Sequence, residues 1–452
     1  MNPEENRYDA VVIGAGFAGI TSARDLTEQG NRVLLLEARD RLGGRTWTKK
    51  FPGTDMNVEM GGQFIMPGSN PAVEREMARY GVETVYVAEP GEYPTILNGK
   101  RNPGPFPVPI EQLLDFEKAL VHCVLASSRI TQGIPLDHQG VEDLDIPMAD
   151  FLAPLDLPVE TREFVETVAN LVSFRPAEEV SALQFLNMMS CFGNSPLGLY
   201  GALGAYLETG LLLERMTADI TEVRLNTPVA RVDQSGADVL VTTAHGETIT
   251  ASAVVVATPM NTWNDIEFLP QLSETKRVTS DERHGADRSG KAMLRLRKLP
   301  VVPLVVGSPK TTGGAFMLAS EGEFDNGDPL MAMFGMLSLD TDEWNLDYDS
   351  RESVDAALQS LLPGAELVEY DAHNFNADPY SKGDWVSWKP GRVTKSHSAL
   401  GAAEGRIAFA TADVAPKWLM TIEGAVECGH KAAHQTLNQL VRLRESSLVR
   451  PL

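Results

Sequence analysis

The chain has 452 residues, 43% hydrophobic and 22% charged, more than one hydrophobic core usually supports, so two domains of ordinary globular composition are expected. A formal net charge of -23 excludes a nucleic-acid backbone or an anionic membrane surface as partner over most of the protein's face. Cys123, Cys191 and Cys428 lack any spacing for a metal or a disulfide framework, no apolar run reaches the roughly 20 residues that span a bilayer, and the acidic N-terminus carries no leader pattern; a cytoplasmic, metal-free protein with reduced thiols is expected.

The first element is the apolar run Ala10 to Ile13, which predicts a strand buried on both faces. Gly14, Gly16 and Gly19 follow in G-x-G-x-x-G spacing, and helical character runs from Ile20 to Leu26. In such a strand–turn–helix the first glycine permits the turn, the second admits a pyrophosphate, and the third lets helix pack on strand. The next strand, "RVLLLE", ends at Glu37, eighteen residues beyond Gly19, where an acid accepts hydrogen bonds from an adenosine ribose and disfavours a 2′-phosphate. The fingerprint alone leaves NAD and FAD open. The segment "ARDRLGGRTWT", beginning Ala38-Arg39, tilts the choice to FAD, because Gly43 and Gly44 bring backbone close to a ligand and the Arg45 fork can bridge two phosphates.

Farther on, "IEQLLDFEKALVHCVLASSRI" and "TREFVETVANLVSF" carry apolar residues at helical spacing. The stretch Thr227 to Pro259 reads as alternating strands with a Ser-Gly turn. From Asn264 to Thr394 the strand-like runs "AMLRLR" and "PVVPLVV" mix with the helical "SVDAALQSLL". A last helix is expected to begin near Ile422, its N-terminal amides offering partial positive charge to a ligand. The basic end "VRLRESSLVRPL" is too short and mixed in charge for a membrane anchor.

With these segments in place, the chain resembles the flavin-dependent amine oxidase family over essentially its whole length. The resemblance rests on the dinucleotide turn, the ribose acid, "GGR", "NVEMGGQFI" (with Gly61, Gly62 and Gln63), "TPVARV" and "GRIAFATADVAPKWLMTIEGA". "VEDLDIPMADFLAPLDLP" and "VVVATPMNTW" are similar to bacterial nicotine-type oxidases within it. The resemblance implies an α/β fold in which a Rossmann-like FAD domain is discontinuous, at 1–80, 205–262 and 395–452. An α+β substrate domain of mixed sheet and helices fills 81–204 and 263–394. It also implies a hydride passed from the carbon beside an amine nitrogen to flavin N5, giving an imine and, with oxygen, peroxide.

The same resemblance puts the Val229 backbone at the adenine, Asp413 at the ribityl chain in place of the commoner glutamate, and Thr421 and Ile422 at the flavin. Lys291 falls where the family bonds a lysine through water to flavin N5, and Trp385 where one of two aromatic faces frames the amine. Thr421 stands where the second face is usually a tyrosine, which points to a bulkier or more polar amine than a simple arylalkyl monoamine; Trp418 could instead lean into the gap. The expected substrate is a secondary or tertiary amine, a cyclic nicotine-like one among them. Asp384 occupies the position of a cysteine that some relatives bond to FAD, and a carboxylate forms no thioether, so FAD is expected to be non-covalent. His122, Asn187, Met188 and Met189 are further candidates for lining a pocket, with core packing favoured for the methionines.

The expected partners are a small-molecule amine, oxygen or another electron acceptor, and a second copy of the chain in a homodimer. Two other readings stay open. An L-amino-acid oxidase or a desaturase would keep the fold, the former needing an arginine fork for which Arg175 and Arg295 are available. A non-catalytic FAD-binding protein would be indifferent to amines.

Overall fold

A computed structural model describes residues 7–87, 89–195, 198, 204–285, 288–337 and 346–448; the first six residues and the last four of the basic C-terminal segment lie outside them. The run read as the first strand is Arg7–Ile13, with Val11 and Val12 fully buried as expected for a strand covered on both faces. It pairs in parallel with Val33–Leu36 on one side and Thr248–Val256 on the other. The sheet continues through Glu222–Arg224 beyond the first neighbour and through Val239–Thr243, Val229–Asp233 and Glu267–Leu269 beyond the second, with Ile407–Phe409 also alongside Thr248–Val256. The chain thus returns to this sheet from its beginning, its middle and its end.

A second sheet, largely antiparallel, runs in the order Leu367–His373, Ser289–Leu296, Pro329–Met336, Ala315–Glu323, Val305–Gly307, Thr95–Leu97, Lys100–Asn102. Of the run "PVVPLVV" only the end is strand: Pro300 and Pro303 cannot donate to a ladder, so Pro303 makes an isolated bridge to Glu92 and the continuous strand begins at Val305. The predicted helices form at Leu113–Ser127, Val159–Ser173 and Arg351–Leu361. Among the described residues no helix is long and apolar enough to cross a membrane.

Two helices bring the ligand-facing ends together. Phe17–Glu28 starts directly after the glycine turn, and Ile422–Leu448 crosses it at Gly429, where an added Cβ would lie 2.6 Å from the Ala18 carbonyl. Both helix N-termini therefore open at the same end of the parallel strands, where such sheets bind ligands.

Candidate active site

The glycine turn is locked before any ligand is considered. Gly14 N–H donates to the Leu36 carbonyl at 2.7 Å, and Gly14 has φ +103 with the Ala257 carbonyl 2.9 Å from where a Cβ would stand. At Gly19 a Cβ would lie 1.8 Å from the Gly14 carbonyl, so helix and strand pack closer than any side chain permits. The second glycine pair sits on this turn: Gly43 N–H donates to the Ala15 carbonyl at 2.8 Å. Glu37, buried at the strand end, accepts from the Ala15 and Arg39 N–H groups at 2.8 and 2.9 Å. Arg39 is pinned in turn by Asp378 at 2.7 Å and by Ser381.

These residues form one end of a single cavity of about 690 Å³. Gly14, Gly16, Glu37, Ala38, Arg39 and Val229 line that end, Gly43, Gly44 and Arg45 the middle, and Gly61, Gly62, Gln63, Lys291, Trp385, Thr421 and Ile422 the other end. Gly19 lies behind the wall, as its packing role requires. Asp413 also lies behind it, 2% exposed: its carboxylate accepts from Arg45 Nη1 at 2.6 Å, Met260 N–H at 3.0 Å and Thr411 Oγ1 at 3.1 Å, so it reaches the cavity through Arg45.

At the far end the second sheet presents a row. Lys291 pairs with Phe334, and Phe334 with Met317, across three neighbouring strands, and all three line the cavity. Lys291 Nζ donates to the Glu59 carbonyl at 2.7 Å and to Gln63 Oε1, and burial holds its ammonium below the ordinary lysine range against the pull of Glu321, Glu59 and Asp384. Trp385 packs edge-on against Phe174 at 5.0 Å and donates its indole N–H to the Val172 carbonyl at 3.2 Å, which fixes the ring as a wall. Burial lifts the Asp384 carboxyl to about 6, opposed by Ser289, Arg45, His373 and Lys291.

Thr421 has a role that its place in the motif did not reveal. Its hydroxyl donates to the Trp418 carbonyl at 2.7 Å and accepts from Gly424 N–H at 3.2 Å, so it is the N-cap of the helix Ile422–Leu448. The bond to Trp418 also ties down a segment in which Trp418 and Met420 both take left-handed backbone, φ 53 and 67, and both line the cavity. Trp418 leans on Phe192 edge-on at 5.1 Å. Trp418 and Trp385 both line the cavity.

Several lining residues carried no signal in the sequence: Phe64, Leu171, Phe174, Met317 and Phe334 read as ordinary core, and only the pairing of sheets and helices aims them inward. Of the helix candidates, Met188 lines the cavity while Asn187, Met189 and His122 do not; His122 bonds the Phe151 carbonyl at 3.1 Å. Arg175 is buried against the Gly285 carbonyl and Arg295 pairs with Asp328, and neither reaches the cavity.

A model of the family described as flavin containing amine oxidoreductase matches residues 17–437. The chain belongs to this family. It is 34% identical over 437 residues to (S)-6-hydroxynicotine oxidase of Paenarthrobacter nicotinovorans, covering 95% of this chain and 100% of that one. To pseudooxynicotine dehydrogenase of a Pseudomonas species it is 31% identical, covering 96% and 87%. Among solved structures, a redesigned putrescine oxidase superimposes with a TM-score of 0.84 at 22% identity, over 96% of this chain and 99% of that one. Cyclohexylamine oxidase from Brevibacterium oxydans gives 0.79 at 20%, with the same coverage. Family membership makes the chain an FAD-dependent amine oxidase with a small-molecule amine as substrate.

Proposed function

We propose that the chain oxidises a secondary or tertiary, cyclic, nicotine-like amine with an apolar body, passing the electrons to oxygen and releasing peroxide. One observation carries this reading: the cavity runs unbroken from a turn built for phosphates to an end walled by Trp385, Phe334, Met317 and Trp418, with the buried amine Lys291 among them. A polar, anion-accepting end joined to an aromatic end suits a dinucleotide beside an apolar amine. FAD when bound supplies the hydride-accepting ring; the residues hold, orient and keep water out. Gly14 and Gly16 would admit the pyrophosphate, with Gly19 packed behind them, Glu37 the ribose, and Ala38, Arg39 and Val229 the adenosine end. Arg45, braced by Asp413, would stand at the middle, with Gly43, Gly44, Gly61, Gly62, Gln63, Thr421 and Ile422 around the flavin half. Asp384 in place of a cysteine supports non-covalent binding.

Trp385 and Trp418 would press the apolar body so that the carbon beside nitrogen meets the flavin, and Lys291, whose ammonium form burial disfavours, would accept or return a proton there. An amino-acid substrate finds no support, because Arg175 and Arg295 are engaged elsewhere and the lining arginines, Arg39 and Arg45, belong to the dinucleotide half. The test is anaerobic mixing with cyclic secondary and tertiary amines, then air with peroxide detection. Bleaching followed by peroxide is expected. No bleaching by any amine sinks the oxidase reading, and bleaching without peroxide assigns another electron acceptor.

A further inference from the structure

Two buried glutamates flank Lys291, and their surroundings differ. Burial pushes the Glu59 carboxyl up, but it receives hydrogen bonds from Thr48 Oγ1 at 2.6 Å, Thr209 N–H at 2.9 Å and Thr209 Oγ1 at 2.5 Å, a set of donors that opposes the shift. Glu321 receives one, from Nε2 of Gln63, and its Oε1 is buried with no hydrogen-bond partner among the described residues. A charge so poorly solvated is the unfavourable state to bury, whereas a neutral acid needs far less. Glu321 is also the extra residue of a β-bulge: Ser320 pairs with Met331 and Gly322 with Leu330, leaving Glu321 opposite nothing. Bulges of this kind re-aim side chains beside active sites.

The Gln63 carboxamide, 1% exposed, lies between this acid and the lysine. Its oxygen accepts from Lys291 Nζ and its N–H donates to Glu321 Oε2, so the two partners hold it in one orientation. We propose that Lys291 and Glu321 are a buried acid–base couple that holds one proton between them, joined by the Gln63 carboxamide, with Glu321 its seat whenever Lys291 is the free amine. One arrangement is NH2 with COOH, the other NH3+ with COO−; the two differ by the position of one proton and are both net neutral. Glu321 is a positioning residue, acting on the reacting end of the cavity through Gln63 and Lys291. The inference rests on the oxidase reading only in placing Lys291 at that end.

The other groups facing the couple are Glu59 and Asp384 at the lysine and Glu59 at Glu321, with the Tyr206 phenol near both glutamates and Arg45 and His373 beyond Asp384. Burial depresses the lysine and raises the glutamate, which moves both toward neutrality. Coupled groups titrate as a pair in two steps pushed apart, so the proton count at Lys291 stays constant between those steps.

The test is infrared spectroscopy of the FAD-loaded enzyme at about pH 8, where a normal glutamate is ionised and Asp384 has titrated. Wild type should show a D2O-sensitive carboxylic-acid C=O band that is missing from Glu321→Gln. The rate of bleaching at saturating amine should be flat across the neutral range in wild type, while Glu321→Gln acquires a single ionisation there with a limb of about tenfold per pH unit. Lys291→Met provides a second arm: deprived of its base, the acid should keep its band to higher pH than in wild type. Absence of the band from wild type, or a Glu321→Gln profile that superimposes on wild type, overturns the couple. The infrared result needs no amine, so it stands or falls apart from the oxidase reading.

Discussion

Thr421 is where a change meant for the substrate also reaches the fold, and a series at this position separates the two. Thr421→Ser keeps the hydroxyl that caps Gly424 and holds the Trp418 carbonyl. Thr421→Val removes it at nearly constant volume, with a loss of about 1 kcal/mol for the cap and about 1 kcal/mol for the carbonyl left without its donor. For a chain of this length, with unfolding entropy of roughly 2 cal/mol/K per residue, about 2 kcal/mol moves a cooperative melt by only ~2 °C. The sensitive assay is therefore local: hydrogen exchange in the first turn of the helix, where Gly424 should lose protection in Val and keep it in Ser. Thr421→Tyr should lose the same protection and add an aromatic face worth about 0.5–1.5 kcal/mol, which is roughly two- to tenfold in kcat/KM for small arylalkyl amines. Unchanged Gly424 protection in Thr421→Val refutes the capping role. A Tyr variant with no gain, beside a Val variant of wild-type activity, refutes the missing-face argument and assigns the specificity to the wider pocket.

Acid precipitation of the holoenzyme should release all of the yellow colour into the supernatant, and colour retained in the pellet contradicts non-covalent binding. Asp384→Asn should stabilise the protein in a pH-dependent way. Because burial raises the folded carboxyl from 3.8 to about 6, its neutral form stabilises the fold fully below about pH 4 and that contribution is lost as pH rises through about 6. Melts of the two proteins should coincide near pH 4 and diverge by up to about 3 kcal/mol above pH 6, and parallel curves would remove Asp384 as their cause. Gly19→Ala drives a methyl into the Gly14 carbonyl, and should yield protein with little bound FAD; full FAD occupancy would show that the turn can shift. Lys291→Met should bind FAD normally and slow one of the two half-reactions, whereas unchanged rates in both would take Lys291 out of the chemistry.

The nucleotide half of the site was legible because its requirements are local. A turn that only glycine can make, an acid at the next strand end and a second glycine pair are each set by a few consecutive residues, and their spacing survives in the linear text. That spacing implied a dinucleotide, the second glycine pair tilted the choice to FAD, and the family entered through the resemblance of several motifs together. The substrate half is written across sheets instead. Lys291, Phe334 and Met317 become neighbours only through strand pairing, and Phe64 and Phe174 look like core until the fold sets them on the cavity wall. Thr421 read as an absent aromatic, although its hydroxyl closes a helix; Asp413 read as a ligand contact, although it braces Arg45. Glu321 gave no sign at all, because a lone glutamate in an apolar strand acquires its meaning from a bulge and from an amide some 258 positions away in sequence. Local backbone geometry is encoded locally and can be read from the sequence; burial and partnership depend on which distant segments meet, and the tertiary structure alone decided those.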